Sequence, residues 1–195
     1  MAKQSALHRV RSTLLIRYIP NPKERRLVVL TLGTVAVLLV IALYFVTHFY
    51  QDWIAANSRA YKGWFKQLGS IAQIGFFTAI SIYPIFLLLK WNPLKQIVLG
   101  KYQLKTLLQF LGKWVRHWHV PIAITSAGFV LLHGYMAILK ELKWDFTYFS
   151  GILSLIALFP LMFMGLKRFK RQDKKLHFKM AIVFLILFMI HASFG

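Results

Sequence analysis

The chain has 195 residues, of which 58% are hydrophobic, and its mean hydropathy of +0.57 excludes an ordinary soluble domain, in which about half of the residues are apolar. It carries 25 Lys and Arg against 5 Asp and Glu, a formal charge of +20. It has no cysteine, which excludes a disulfide, a thiolate–metal site, an iron–sulfur cluster and a covalently attached c-type haem.

Five apolar runs follow one another along the chain, each close to the roughly 20 residues that cross hydrocarbon as a helix. They comprise residues 27–48, 70–90, 118–139, 147–167 and 176–195. The first is too long for the core of a signal peptide, and no small-residue cleavage site follows it closely. The sequence predicts an all-α integral membrane bundle of five transmembrane helices, with a basic tail over 1–26 and a transmembrane domain over 27–195.

Basic residues are concentrated in alternate connecting segments. Seven lie in 1–26, six in 90–117 and seven in 167–179, so 20 of the 25 fall on one side. This positive-inside pattern predicts a multi-pass protein of the cell membrane, with its N-terminus in the cytoplasm and its C-terminus outside. We therefore ascribe the basic runs to topology and to contact with anionic membrane lipid, and we expect no nucleic-acid partner.

The connecting segments offer no nucleotide-binding motif. Neither Gly-x-Gly-x-x-Gly nor a P-loop occurs in the chain. The sequence ends directly after the fifth apolar run, so we expect no flavin or nicotinamide domain. Residues 101–118 mix Leu, Phe and Trp with Lys and Arg, which is typical of an amphipathic helix on a membrane surface.

Two of the apolar runs each carry a pair of histidines fourteen positions apart. They are His119 and His133 in the third run, and His177 and His191 in the fifth. Fourteen residues of helix turn through about 1,400°, close to four full turns, so each pair shares one helix face. One span separates the two runs, so the two helices run parallel. This places His119 and His177 near the cytoplasm, and the other two toward the outside.

Each level of the bundle therefore offers two imidazoles that can grip one flat cofactor. Iron in a porphyrin takes four nitrogens from the ring, and neutral imidazoles fill the two remaining axial positions. The spacing predicts two b-type haems, an inner one held by His119 and His177 and an outer one held by His133 and His191. With both axial positions occupied, such haems pass single electrons, and we predict no separate catalytic residue.

Other residues near these histidines have simpler explanations. A histidine in a membrane helix also suits a hydrogen bond across a packing interface, although packing does not account for two matched spacings. His117 is a rival for His119, but its offset of 16 misaligns the two faces. Neither His8 nor His48 has a matching partner. Several residues suit either contact with a porphyrin or ordinary helix packing: Phe129, Phe184, Phe188, Ala123, Ser126, Gly128 and Ala181.

The paired histidines, the "LLHGY" of 131–135 and the "KRFKRQDKKLHFKM" of 167–180 together resemble the ferric reductase-like transmembrane superfamily. That group includes NADPH oxidases, ferric reductases and the haem-binding membrane subunit of bacterial methionine sulfoxide reductase systems. The resemblance covers roughly 70–195 and implies haem b ligation by the four paired histidines. Many members have a sixth helix and a cytosolic flavin and nicotinamide domain. This sequence shows neither, so a separate donor is expected.

We therefore expect an oxidoreductase membrane subunit that carries electrons from a cytoplasmic flavoprotein or quinol to an external acceptor. Basic residues could attract an acidic flavoprotein, or simply set topology: Lys167, Arg168, Lys170, Arg171, Lys174 and Lys175. Two alternatives are a non-redox membrane anchor subunit and a histidine-based metal or proton transporter. Against the transporter, all five acidic residues lie outside the predicted spans, where ion carriers commonly place carboxylates.

Overall fold

The computed structural model describes residues 18–141, 144–167 and 174–194, and it is almost wholly helical. The elements are α1 (Pro22–Ile80), α2 (Ile82–Leu89), a 3-10 helix (Asn92–Lys95), β1 (Val98–Leu99), β2 (Tyr102–Gln103), α3 (Leu104–Lys140), α4 (Phe146–Lys167) and α5 (Lys174–Phe194). The two short strands form an antiparallel hairpin in which Val98 pairs with Gln103. The all-α class is confirmed.

Among the described residues, four helical stretches are long and apolar enough to cross a membrane: Pro22–Leu89, Leu104–Lys140, Phe146–Lys167 and Lys175–Phe194. The described chain thus has four such stretches rather than the five predicted spans, because the first two predicted spans belong to one of them. The polar segment 49–69 between those two predicted spans contains no proline, and it is helical on both sides of Asn57. Residues 104–118 of the predicted amphipathic segment also join the following span, since α3 is continuous from Leu104 to Lys140.

One residue interrupts the helical backbone of α1. Asn57 has φ −162° and ψ 89°, which is extended backbone. Its side-chain Oδ1 accepts a hydrogen bond from the backbone N–H of Ala60 at 2.9 Å. An asparagine that accepts from the third residue beyond it is a typical helix N-cap. Asn57 therefore ends one helical half of α1 and begins the next.

The chain folds back at Asn57. A Cβ atom on Gly128 of α3 would lie 2.6 Å from Val35 Cγ1, and a Cβ atom on Gly75 would overlap Ser126 Oγ. A straight α-helix would separate Val35 from Gly75 by about 60 Å. Because both contact nearly the same level of α3, the two halves lie side by side. We call residues 34–56 the first arm and residues 58–80 the second arm.

Both arms pack against the C-terminal half of α3. Val46 of the first arm, Tyr61 of the second arm and Met136 of α3 form one buried cluster. The Tyr61 hydroxyl donates a hydrogen bond to the backbone carbonyl of Met136 at 2.7 Å, and Tyr61 is only 1% exposed. A buried phenol needs such a partner, so this bond helps to fix the second arm on α3.

The chain divides into two compact units, one comprising residues 34–139 and the other residues 140–195 together with those up to Gly33. In the second unit α4 and α5 form an antiparallel pair. The Thr147 hydroxyl, at the start of α4, donates to the carbonyl of Phe194 at the end of α5, at 2.9 Å. The rings of Phe146 and Phe194 meet edge to face there. These two helices match the predicted spans 147–167 and 176–195 closely.

Candidate functional site

Two of the predicted histidines lie on α3 and face the second arm. His119 Nδ1 is 3.0 Å from the carbonyl oxygen of Ala79, and His133 Nδ1 is 3.0 Å from that of Phe65. The acceptors are fourteen residues apart, as the histidines are, and they run in the opposite order. The antiparallel register of the two helices therefore repeats the same contact at two levels.

The chemistry of these contacts fixes the tautomer of each imidazole. A carbonyl oxygen only accepts hydrogen bonds, so Nδ1 must carry the proton. In a neutral imidazole the lone pair then belongs to Nε2. Histidines that bind a metal commonly donate their other ring N–H to a backbone carbonyl in this way, which orients the ring and strengthens the ligand.

A glycine and an aromatic ring hold His133 in place. A Cβ atom on Gly69 would lie 3.0 Å from His133 Cε1 and 3.2 Å from Nδ1. The Phe65 ring stacks on the imidazole, with centroids 4.2 Å apart and planes 14° from parallel. His133 is partly buried among these groups. Gly69 thus gives the ring room to reach the carbonyl of Phe65, four residues earlier on the second arm.

The second unit repeats this arrangement at His191. Its Nδ1 is 3.0 Å from the carbonyl oxygen of Thr147 on α4. A Cβ atom on Gly151 would lie 2.9 Å from His191 Cε1 and 3.1 Å from Nδ1. The glycine again follows the accepting residue by four positions. His133 and His191, the predicted ligands of the outer haem, therefore share one local geometry.

The fourth histidine is the most buried. His177 on α5 is 4% exposed, and a Cβ atom on Gly165 of α4 would lie at an ordinary contact distance of 3.7 Å from its Cε1. Within each unit, the structure places the paired histidines on one helix, against one antiparallel neighbour. The pairing of His119 with His177 and of His133 with His191 stays a prediction.

The other histidines of the described chain lie in different surroundings. His48 stacks on Tyr44, with ring centroids 5.8 Å apart, and meets Phe49 edge to face. His117, the rival for His119, is exposed and meets Trp118 edge to face at 5.5 Å. His8 lies outside the described residues.

Four of the seven residues that suit either porphyrin contact or helix packing lie against neighbouring side chains or helices. Ser126 and Gly128 lie against Gly75 and Val35 in the first unit. In the second unit the rings of Phe184 and Phe188 are buried and stack on each other, with centroids 5.6 Å apart. Of the basic residues proposed to attract a donor, Lys167 lies over the Phe163 ring, 5.1 Å from its centroid. Residues 168–173 of that set are outside the described chain.

These histidines have the donor chemistry that a haem iron requires of its axial ligands. Three of the four have Nδ1 committed to a carbonyl, which presents Nε2 as the basic nitrogen. A porphyrin supplies four nitrogens to its iron, so each haem would need two such imidazoles.

No family model, curated protein or solved structure matches this chain. The resemblance to the ferric reductase-like superfamily therefore stays a prediction from the sequence.

Sequence reasoning missed the groups that hold the imidazoles. Gly151 lies inside a predicted apolar span, where a helical glycine is disfavoured without a packing reason, and that signal could have found it. Gly69 lies directly before a predicted span, in the polar segment 49–69, and carries no such signal. The accepting carbonyls of Phe65, Ala79 and Thr147 could not be found in this way, because every residue has a backbone carbonyl.

Proposed function

We propose that the chain is a membrane b-type cytochrome with two bis-histidine haems, which carries electrons from a cytoplasmic donor to an external acceptor. His119 and His177 would hold the inner haem, and His133 and His191 the outer one. The observation that carries the proposal is the repeated Nδ1–H contact to a backbone carbonyl at three of these histidines.

This contact favours ligation over simple helix packing. A packing histidine needs one hydrogen bond to satisfy its N–H, and any nearby acceptor will do. Here the same ring atom makes the same contact at 3.0 Å three times, and in the first unit at a fourteen-residue interval on both helices. An ionisable residue inside a membrane is costly and usually functional. A metal ligand needs a fixed tautomer, and this arrangement supplies it.

We further propose that each arm of α1 crosses the membrane separately, which restores five crossings. The first arm exposes large apolar side chains such as Leu38, at 59%, and Val40, at 67%. Acyl chains are the natural surroundings for such a surface. The turn at Asn57 lies in the segment 49–69, which holds only three basic residues and so suits the external side.

In the proposed cytochrome, the protein binds the haems, orients the histidine rings and keeps water away from them. Haem iron supplies a one-electron couple when bound. The imidazoles of His119, His133, His177 and His191 would hold the haems, which would then pass single electrons rather than bind a substrate. The carbonyls fix the ring orientation, and the apolar helices exclude water. With the cytoplasm negative, moving an electron outward is favourable by about 2.3 kcal/mol per 100 mV when the full field is crossed.

The electron donor would be a cytoplasmic flavoprotein or a quinol. The chain has no nucleotide-binding motif, so it would not oxidise NADPH by itself. The basic residues of 167–179 give the cytoplasmic face a positive charge. That charge would speed association with an acidic partner, and the rate would fall as the salt concentration rises.

The test uses proteoliposomes of known orientation that contain the purified chain. A reduced flavoprotein is supplied at the cytoplasmic face and a membrane-impermeant ferric chelate at the other. Wild-type protein should reduce the chelate, and His133→Ala should lower that rate at least tenfold, because it removes an outer ligand. His48→Ala is the matched control and should keep the wild-type rate. An unchanged rate in His133→Ala, or no reduction by the wild-type protein, would contradict the proposal.

A further inference from the structure

We propose that Gly69 and Gly151 are positioning residues that set the redox potential of the outer haem. Each admits an imidazole to the helix backbone, so that Nδ1–H reaches the carbonyl four residues earlier. This inference rests on the proposed function, because it assumes that His133 and His191 are ligands. It adds a role for two residues that touch the ligands rather than the cofactor.

The two glycines present their histidines in the same way. At Gly69 the imaginary Cβ lies 3.0, 3.2 and 3.7 Å from Cε1, Nδ1 and Nε2 of His133. At Gly151 the corresponding distances to His191 are 2.9, 3.1 and 3.5 Å. In both cases Cε1 and Nδ1 lie nearest to the helix, and Nε2 is the farthest of these three atoms. The two contacts therefore have the same local geometry, in which Nε2 is the ring nitrogen farther from the glycine.

An alanine at either position would displace the imidazole. Carbon atoms make good contact at about 3.5–4.0 Å, so a methyl group at 2.9–3.0 Å from Cε1 requires a shift of the ring by some tenths of an ångström. That shift would move Nδ1 from its present 3.0 Å separation from the carbonyl. Hydrogen bonds weaken as they lengthen and bend, so Nδ1–H would be held less firmly.

The strength of this hydrogen bond controls the electronic character of the ligand. When Nδ1–H donates to a carbonyl, Nε2 becomes a stronger electron donor to the metal. A stronger donor stabilises the ferric form more than the ferrous form, which lowers the reduction potential. Weakening the bond should therefore raise the potential of the outer haem. Hydrogen bonding beyond the axial ligand is one of the principal ways in which a protein tunes haem.

The inner ligands lack this combination of a carbonyl contact and a close glycine. His119 Nδ1 contacts the carbonyl of Ala79, but the residue four positions later is Tyr83. Gly165 lies beside His177, but at a distance that accommodates a methyl group. The glycine requirement is therefore specific to the outer pair, and Gly165 provides a control from the same helix as Gly151.

The experiment is a potentiometric titration of the purified full-length protein with its haems. Gly69→Ala and Gly151→Ala should each raise the midpoint potential of the outer haem by about 59 mV, equivalent to a tenfold change in its one-electron equilibrium constant. The inner haem should keep its potential. Gly63→Ala, on the second arm, places its new methyl group in open space. It and Gly165→Ala should leave both potentials unchanged.

Selective loss of the outer haem in the two variants would also support positioning, since the displaced ring would then ligate poorly. Two retained haems with unchanged potentials would overturn the inference and leave the proposed function standing. Loss of both haems would overturn it too, because the glycines would then serve general packing.

A second readout separates this inference from the proposed function. Nitrogen-15 NMR of the full chain with labelled histidine reports which ring nitrogen carries the proton, with or without haem. Wild-type His133 should show the Nδ1–H form. Gly69→Ala should mix the two tautomers, whereas Gly63→Ala should not. If the purified protein holds no haem, the proposed function fails, and the tautomer still decides whether Gly69 positions the ring.

Discussion

The two histidine-bearing helix pairs, the second arm with α3 and α4 with α5, reach the same local arrangement by different chain paths. In each, a histidine donates Nδ1–H to a carbonyl on an antiparallel neighbour, and a glycine four residues later makes room for the ring. The neighbour of α5 is the preceding helix in the chain. The neighbour of α3 is the second arm, which lies against α3 because the chain reverses direction at Asn57. The arrangement therefore depends on antiparallel register rather than on connectivity.

The pairs differ at their other histidine. His119 is partly buried and contacts the carbonyl of Ala79, whereas His177 is 4% exposed and lies beside Gly165. The outer ligands of the proposed cytochrome thus have matched surroundings, and the inner ligands do not.

The largest expected effect concerns the reversal at Asn57, on which the first pair depends. The chain has no cysteine, so single cysteines at exposed positions report sidedness. In intact cells an impermeant maleimide should label Arg59→Cys. It should reach Lys101→Cys only after permeabilisation, because the two arms would place these residues on opposite sides. Lys140→Cys serves as the external control.

If the maleimide labels Arg59→Cys only after permeabilisation, the comparison between the two helix pairs fails. The two arms would then not cross in the proposed directions, and the second arm would not run antiparallel to a membrane-spanning α3. Labelling of all three variants in intact cells would contradict the cytoplasmic position of 90–117.

A smaller effect is expected from a hydrogen bond that holds the second arm on α3 in the first helix pair. Tyr61→Phe removes the buried hydrogen bond to the Met136 carbonyl, three residues beyond His133. We expect the free energy of unfolding in detergent to fall by about 1 kcal/mol, the net worth of a typical buried hydrogen bond. Tyr44→Phe, at a residue that is 64% exposed, should change it by much less. Equal stability of the two variants would show that this bond does not fix the second arm.

The sequence predicted α4 and α5 closely, because each is a single apolar run bounded by charge or by the end of the chain. It failed at α1, where a polar segment was read as a connecting loop and the backbone instead stays helical on both sides of Asn57. The fourteen-residue spacing predicts that each histidine pair shares one helix face, and within each unit the two histidines contact one neighbouring helix. The register that aligns His133 with Phe65 depends on packing between distant segments, which periodicity along one helix does not encode.

The most direct test of the central claim is the haem content of the purified chain, from its visible spectrum and a pyridine haemochrome assay. The account predicts a b-type Soret band and two haems per chain. Replacing any one of the proposed ligands, His119, His133, His177 and His191, by alanine should reduce the content to about one. His117→Ala should retain both haems. A wild-type chain without haem, or two haems retained in any of the four ligand variants, would contradict it.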